Sequence, residues 1–412
     1  MMSKRIFQIG VLSIVSILLA LGIWTQPATA ITEEQKVVVE AWRIVNRAYL
    51  DDTFNHQSWS AVRQQALKQP LDNPEAAYKT VENMLASLNE PFTRFLRPEQ
   101  YRSLQVNTSG ELTGVGLQIA LNPKTGQLEV VAPIAGSPAE KAGIQSRDRI
   151  LKINGIPTTQ LTLDEAAAKM RGPAGSKVLL AIERDGSQKE VQVARDRIAV
   201  NPVVAQLQTS PSGAEIGYIR LVQFNANATT EVAHAIANLE KQGAEAYILD
   251  LRNNPGGLLQ SGIEIARLWL DEGTIVYTVN RQGIQGNFEA FGSALTHDPL
   301  VVLVDRGTAS ASEILAGALQ DNGRAKIVGE KTFGKGLIQS LFELSDGSGM
   351  AVTVAKYETP NHRDIHKQGI VPDLSVATDR LKRDQIATAA DPQYLAAVEL
   401  LENTSAIAKS DK

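Results

Sequence analysis

Cysteine is absent from all 412 residues. That excludes a disulfide, a thiolate metal site and a cysteine nucleophile. Histidine occurs five times, so few imidazoles are available as a catalytic base. No arginine pair stands near the start, and no apolar run after residue 24 is long enough to span a bilayer. No basic stripe suggests nucleic acid. What remains is the composition of a soluble globular chain, 43% apolar and 21% charged, with length for two or three domains.

Residues 1–30 read as a secretory signal. Lys4 and Arg5 form the basic end, Ile6–Trp24 the apolar core and Ala28-Thr29-Ala30 a small-x-small cleavage site. Sec export with cleavage after Ala30 is expected, against an uncleaved anchor. Cleavage removes Lys4 and Arg5 and no acid, so the net charge of −4 becomes −6.

Residues 31–107 are predicted to be helical. Val38, Trp42, Val45 and Tyr49 repeat at helical spacing, and Trp59–Leu67 and Pro74–Leu88 are shorter amphipathic segments. PFTRFLRPEQY, 91–101, reads as a proline-bounded connector. Residues 108–197 read as a small β-rich module with two helices. It has hairpin signals at Asn154-Gly155 and Asp185-Gly186 and a helix stop at Gly172-Pro173. Residues 198–378 alternate strand and helix, the pattern of an α/β core with chemistry at the strand ends. In the tail, 379–412, Pro392–Leu401 is expected to be a surface helix and the last ten residues disordered.

The stretch 305–325, DRGTASASEILAGALQDNGRA, organises the core. It follows PLVVLV, read as a buried parallel strand, and places Ser310 at a helix N-terminus. There free N–H groups and the helix dipole favour a developing oxyanion. Ser310 also fits a helix cap, with Glu313 completing a capping box. A nucleophilic serine needs a base. None of His56, His234, His297, His362 and His366 fits the order of a known hydrolase triad, although His362 or His366 stays open. Lys335, between glycines in Thr332–Gly336, is the other option, and Lys331 is not separable from it by spacing. Flanking Phe333, Leu337 and Ile338 would make an apolar setting that lowers the lysine pKa. Gln339 shares a strand face with Lys335 and would orient its amine. The oxyanion donors are Ala311 N–H and a glycine N–H of Asn253–Gly257, Gly257 before Gly256.

The order GSPAEKAGI, RDRI, ING resembles a PDZ domain of the permuted bacterial type, with Arg147 where a glycine is usual. The resemblance makes Gly114, Val115, Gly116 and Leu117 the carboxylate loop, binding a peptide C-terminus as an added strand. With DLRNNPGG, GTASASEILAGALQDN, GEKTFGKGLIQS, SDGSG and GIVPD, essentially the whole mature chain resembles the C-terminal processing peptidases, or tail-specific proteases. By that resemblance the nucleophile is Ser310, the base Lys335 rather than Lys331, and the orienting amide Gln339. Asp321 matches an acid once considered catalytic and is read as structural.

The expected fold is multi-domain α/β: an N-terminal helical segment, a permuted PDZ domain and a mostly parallel catalytic core, ClpP/crotonase-like by resemblance. TEEQKVVVEAWRIVNRAYLDDTFN and PFTRFLRPEQY resemble cyanobacterial and chloroplast members. Those enzymes trim the C-terminal extension of a photosystem II reaction-centre precursor in the thylakoid lumen. Expected partners are therefore C-terminal tails of exported proteins, with peripheral contact where the substrate is membrane-embedded. Location in the lumen or periplasm is expected, and no metal or cofactor. Arg171, after the PDZ helix, is a candidate to couple bound peptide to the site, against an exposed helix-end arginine. The rival readings are a catalytically dead PDZ adaptor or chaperone, a general periplasmic tail-specific protease, and a Ser-His esterase or amidase.

Overall fold

The computed structural model describes residues 31–122, 125–134, 136–378, 381–382 and 384–410. The secretory signal lies outside the described residues. Among these residues, no helix is long and apolar enough to cross a membrane.

Two sheets frame the catalytic half. The first orders its strands Val203–Thr209, Glu215–Leu221, Ala246–Asp250, Leu300–Val304, Lys326–Gly329 and Leu374–Ser375. All neighbours are parallel except the first pair. Ala246–Asp250 and Leu300–Val304 are buried at every position, as parallel strands covered on both faces must be. One face packs on helices Ala228–Lys241, Leu259–Arg267 and Ala311–Asp321. The other face is covered by the C-terminal helix Pro392–Ser410, where Tyr394, Ala397, Val398 and Leu401 meet Ile248, Val301 and Leu303.

This overturns an expectation for the tail. Pro392–Leu401 is not a surface helix, and before it Leu374–Ser375 adds an edge strand beside Lys326–Gly329. An anchor that periodicity does not show holds the helix start. Buried Arg252 donates to Asp250 (2.7 Å), to both oxygens of Asp391 (2.9 and 2.8 Å) and to Gln393 (3.1 Å). Of the last ten residues, expected to be disordered, those up to Ser410 continue this helix, and the final two lie outside the described residues.

The second sheet is antiparallel. Long strand Gly349–Glu358 pairs with Leu337–Glu343 on one side, and with Arg94–Leu96 and Thr274–Asn280 on the other. The proline-bounded connector thus contains a strand. The N-terminal helices close over this sheet: Val38, Val45, Val81 and Met84 share a core with Leu344, Met350 and Val352. Their starts are fixed locally. Thr32 and Gln35 form a reciprocal capping box, and Asn73 caps a helix whose first residue is Pro74.

A third sheet has the order Leu117–Leu121, Leu128–Pro133, Arg149–Ile153, Lys177–Arg184, Ser187–Ala194. Its core is Val130, Ile144, Ile150, Leu180 and Ile182, under helix Leu163–Met170. Leu117–Leu121 is an edge strand with that helix beside it.

Candidate active site

Strand Leu300–Val304 runs into a turn that is tied at each step. Thr308 Oγ1 donates to Leu251 O (2.9 Å) and receives Asp305 N–H (2.9 Å), and Ala309 N–H donates to Asn254 O (3.0 Å). Ser310 follows at φ 58°, ψ −118°, and helix Ala311–Asp321 begins after it. A positive φ on a non-glycine residue is strained and clusters at functional sites. Here it lifts the side chain off a strand–turn–helix corner, as a nucleophile requires. Ala311 to Leu319 are all buried, so the helix cannot shift without breaking the core.

Glu313, fully buried, organises the corner. Its Oε2 accepts the N–H of Ser310 (2.9 Å) and of Lys335 (2.8 Å). Its Oε1 accepts Thr332 Oγ1–H (2.5 Å) and Gly334 N–H (2.7 Å). The capping-box expectation for Glu313 was half of its role, because the same carboxylate also holds the lysine loop. Tyr357 Oη adds a brace between Ser310 O (3.0 Å) and Lys335 O (2.6 Å).

The Asn253–Gly257 loop abuts this corner. Asn254 Oδ1 accepts Gly256 N–H (2.9 Å), and its Nδ2 donates to Leu221 O (2.8 Å). Gly256 is therefore already committed as a donor. Gly257 N–H and Ala311 N–H have no partner within the chain among the described residues. Both glycines are required by space. A Cβ on Gly256 would lie 2.9 Å from Ser310 Cβ, and one on Gly257 would lie 2.1 Å from Phe224 O.

Lys335 is half-buried, and burial pushes its pKa below the ordinary lysine value. The Arg94 charge pushes the same way, while Glu90 and Glu313 oppose it. The apolar neighbour is not the one expected. Phe333 is 59% exposed, whereas Lys335 Nζ lies 5.1 Å from the centroid of the Phe92 ring. Lys331 is exposed. Lys335 Nζ makes no hydrogen bond to Ser310 Oγ or to Gln339 in this conformation. Gln339 Nε2 donates instead to Thr353 Oγ1 across the strand pair (3.2 Å).

The histidines divide. His56 and His234 are exposed, His297 pairs with Asp271 (2.5 Å), and His362 stacks on Tyr277. His366 borders the site: a Cβ on Gly336 would touch its backbone, and its Nδ1 is buried without a partner. Burial lowers its pKa, and it makes no bond to Ser310. Asp321 lies at the far end of the nucleophile helix and pairs with Arg363. Among the described residues, no group of three or more histidine or acidic side chains is placed to hold a metal.

In the PDZ sheet the loop expected to bind a carboxylate has carbonyls turned inward. Val115 O accepts Ala139 N–H (2.9 Å), and Gly116 O accepts Ile134 N–H (2.9 Å) and Ser137 Oγ–H (3.2 Å). In a trans peptide the next N–H points the opposite way. The N–H groups of Gly116 and Leu117 therefore aim outward, beside the free edge strand. Gly116 sits at φ 78°, and a Cβ there would be 2.3 Å from Ser137 Cβ. Gly114 pairs with Arg171, whose side chain is exposed. The arginine that fixes this helix end is Arg195, which donates to Lys169 O (2.7 Å) and Met170 O (3.1 Å).

Glu90, Phe92, Arg94, Thr353 and Tyr357 escaped the sequence reading. They lie far from Lys335 in sequence or in a segment read as a connector, and no local pattern announces them.

Residues 129–184 match the PDZ domain and residues 215–376 match peptidase family S41. The chain is 63% identical to a carboxyl-terminal-processing protease of Synechocystis, over 93% of this chain and 90% of that one. It is 47% identical to carboxyl-terminal-processing peptidase 2, chloroplastic, of Arabidopsis thaliana, over 90% of this chain and 75% of the relative. Among solved structures it resembles a photosystem II D1 C-terminal processing protease, at TM-score 0.58 and 41% identity. That match covers 88% of this chain and all of the other. The corner at Ser310, the PDZ module and these relatives agree, and the chain belongs to the carboxyl-terminal-processing serine proteases of peptidase family S41.

Proposed function

We propose that the chain is a Ser/Lys-dyad endopeptidase that cuts near the C-terminus of exported proteins. The observation that carries this is the shared acceptor: Glu313 Oε2 fixes the backbones of Ser310 and Lys335 together, beside a lysine that burial disposes to be neutral. Neutral Lys335 takes the Ser310 proton as Oγ attacks the scissile carbonyl. The N–H groups of Ala311 and Gly257 hold the oxyanion. Protonated Lys335 then gives its proton to the leaving amine, and water hydrolyses the acyl-enzyme. Gln339 orients the amine once Nζ turns toward Ser310.

The PDZ module captures the substrate tail through Gly114–Leu117, and the peptide adds to the edge strand Leu117–Leu121. Arg171 couples that capture to the site, since its backbone pairs with Gly114 at the loop. The working division is 31–107, 108–197, 198–378 and 379–412, after removal of 1–30. The processing relatives support the tail of a photosystem II reaction-centre precursor as substrate, met in the thylakoid lumen or periplasm.

The test is mass spectrometry of a tailed lumenal precursor before and after incubation. A single C-terminal truncation is expected from the wild-type protein, and none from folded Ser310→Ala or Lys335→Ala. Cleavage by Lys335→Ala at a normal rate removes the base assignment. No cleavage by the wild type favours the adaptor reading. Wild-type turnover by Arg171→Ala removes the coupling role.

A further inference from the structure

We propose that Glu90 and Thr353 are positioning residues for catalysis, forming a relay from the N-terminal segment that fixes the Gln339 amide and the ring facing Lys335. The proposal rests on the dyad reading above.

The geometry assigns each proton. Glu90 Oε1 accepts Phe92 N–H (2.6 Å), and Oε2 accepts Thr93 N–H (2.9 Å). Glu90 thus acts as an acceptor, and Thr353 Oγ1, 2.9 Å from Oε2, donates its one hydrogen to it. The Thr353 oxygen is then left as an acceptor, and it takes Gln339 Nε2–H at 3.2 Å. That decides the amide: the NH2 group faces Thr353, and Oε1 is the free end, able to accept only a donor such as the lysine amine. Were the amide reversed, two acceptors would face each other with no proton between them.

Thr353 is itself immobilised. It is 1% exposed, its N–H donates to Thr93 Oγ1 (3.1 Å), and its carbonyl accepts Leu50 N–H (2.9 Å). The same carboxylate sets the turn that places Phe92 against Lys335 Nζ. One side chain from the helical segment therefore governs both the orienting amide and the apolar wall. The charged or titratable groups facing Lys335 are Glu90 and Arg94 from that segment and Glu313 from the nucleophile helix. Tyr357 and His366 border its backbone.

The test uses the full exported chain with a tailed peptide. Thr353→Val keeps shape and removes the relay. It is expected to lower kcat at least tenfold with KM unchanged, and Thr353→Ser to restore most of it. Gln339→Ala alone and Gln339→Ala with Thr353→Val should be equally slow, because both act through one amide. Glu90→Gln removes the charge that holds the Lys335 pKa up, so the acid limb of kcat/KM should move to lower pH. Wild-type kcat in folded Thr353→Val overturns the relay, as do effects of the two substitutions that multiply. If Thr353→Val does not fold, an acid limb unmoved in Glu90→Gln overturns it. Failure of the dyad reading shows separately, as activity retained in Lys335→Ala.

Discussion

Ser310 and Lys335 share an acceptor: one oxygen of Glu313 takes the N–H of both, at 2.9 and 2.8 Å. The Ser310 corner and the lysine loop are thereby set relative to each other by backbone, not by the two side chains of the proposed dyad. The amine is then free to swing between the Phe92 face and the hydroxyl without disturbing the frame.

Replacing Glu313 tests this frame. Its carboxylate accepts from four donors. A glutamine supplies one acceptor oxygen and turns an NH2 group toward donors that need an acceptor. Each buried donor left unmade costs about 1–3 kcal/mol. Glu313→Gln is expected to be inactive, with a clearly lower urea midpoint than Ser310→Ala.

The strained backbone of Ser310 gives the opposite sign. Its φ of 58° and ψ of −118° lie outside the regions favoured by a residue with a Cβ. Such strain costs about 1–3 kcal/mol. Ser310→Ala keeps the Cβ and the strain, whereas Ser310→Gly relieves it. Both should be inactive, and thermal denaturation should find the glycine variant the more stable.

The depressed pKa of Lys335 has two pH consequences. On the proposed dyad the reaction needs the neutral amine, so kcat/KM should climb as pH rises through a value below the usual lysine pKa of about 10.4. A rate flat from acid to strongly alkaline pH would contradict the assignment. Stability moves the same way. Below the folded pKa the amine is charged in both states, and its desolvation weighs on the fold. As pH rises the weight fades, and above the ordinary pKa it is gone. Lys335→Met should therefore melt higher than wild type at pH 7, by a margin that shrinks as pH approaches 10.

Asp391 anchors the C-terminal helix to the loop that carries Gly257. Burial alone would raise its carboxyl pKa, but the hydrogen bonds and charge of Arg252 outweigh that and hold it below the usual range. Its stabilisation is thus present above about pH 4 and is lost as pH falls through the folded value. Asp391→Ala leaves Arg252 with Asp250 and the Gln393 amide but removes two charge-assisted hydrogen bonds, each contributing about 1.5–3 kcal/mol. Urea titration at pH 7 should show that loss, and it should narrow at acid pH.

The fold classes and the corner at Ser310 were legible because they are local. Strand, small-residue turn and apolar helix are contiguous over residues 300–321, and the PDZ turns announce themselves by Gly and Asn. The Asn253–Gly257 turn was readable for the same reason, whereas the Asn254 bond that occupies Gly256 N–H and leaves Gly257 N–H as the candidate donor was not. The surroundings of Lys335 were not legible. Phe92 and Glu90 reach it because Arg94–Leu96 pairs with Gly349–Glu358, a contact bridging more than half the chain that no period reveals. The flanking Phe333 misled because adjacency on a turn says nothing about where a side chain points. The tail was misjudged because Asp391 and Gln393 look polar and exposed until Arg252 is known to be buried beside them.

The clamp on Arg252 is supplied by residues 391 and 393. In the order of synthesis, Ser310 and Lys335 leave the ribosome before it. A nascent chain that already carries both side chains therefore still lacks the groups that hold Arg252, next to the Asn253–Gly257 loop, so the proposed site is completed only after residue 393 has emerged.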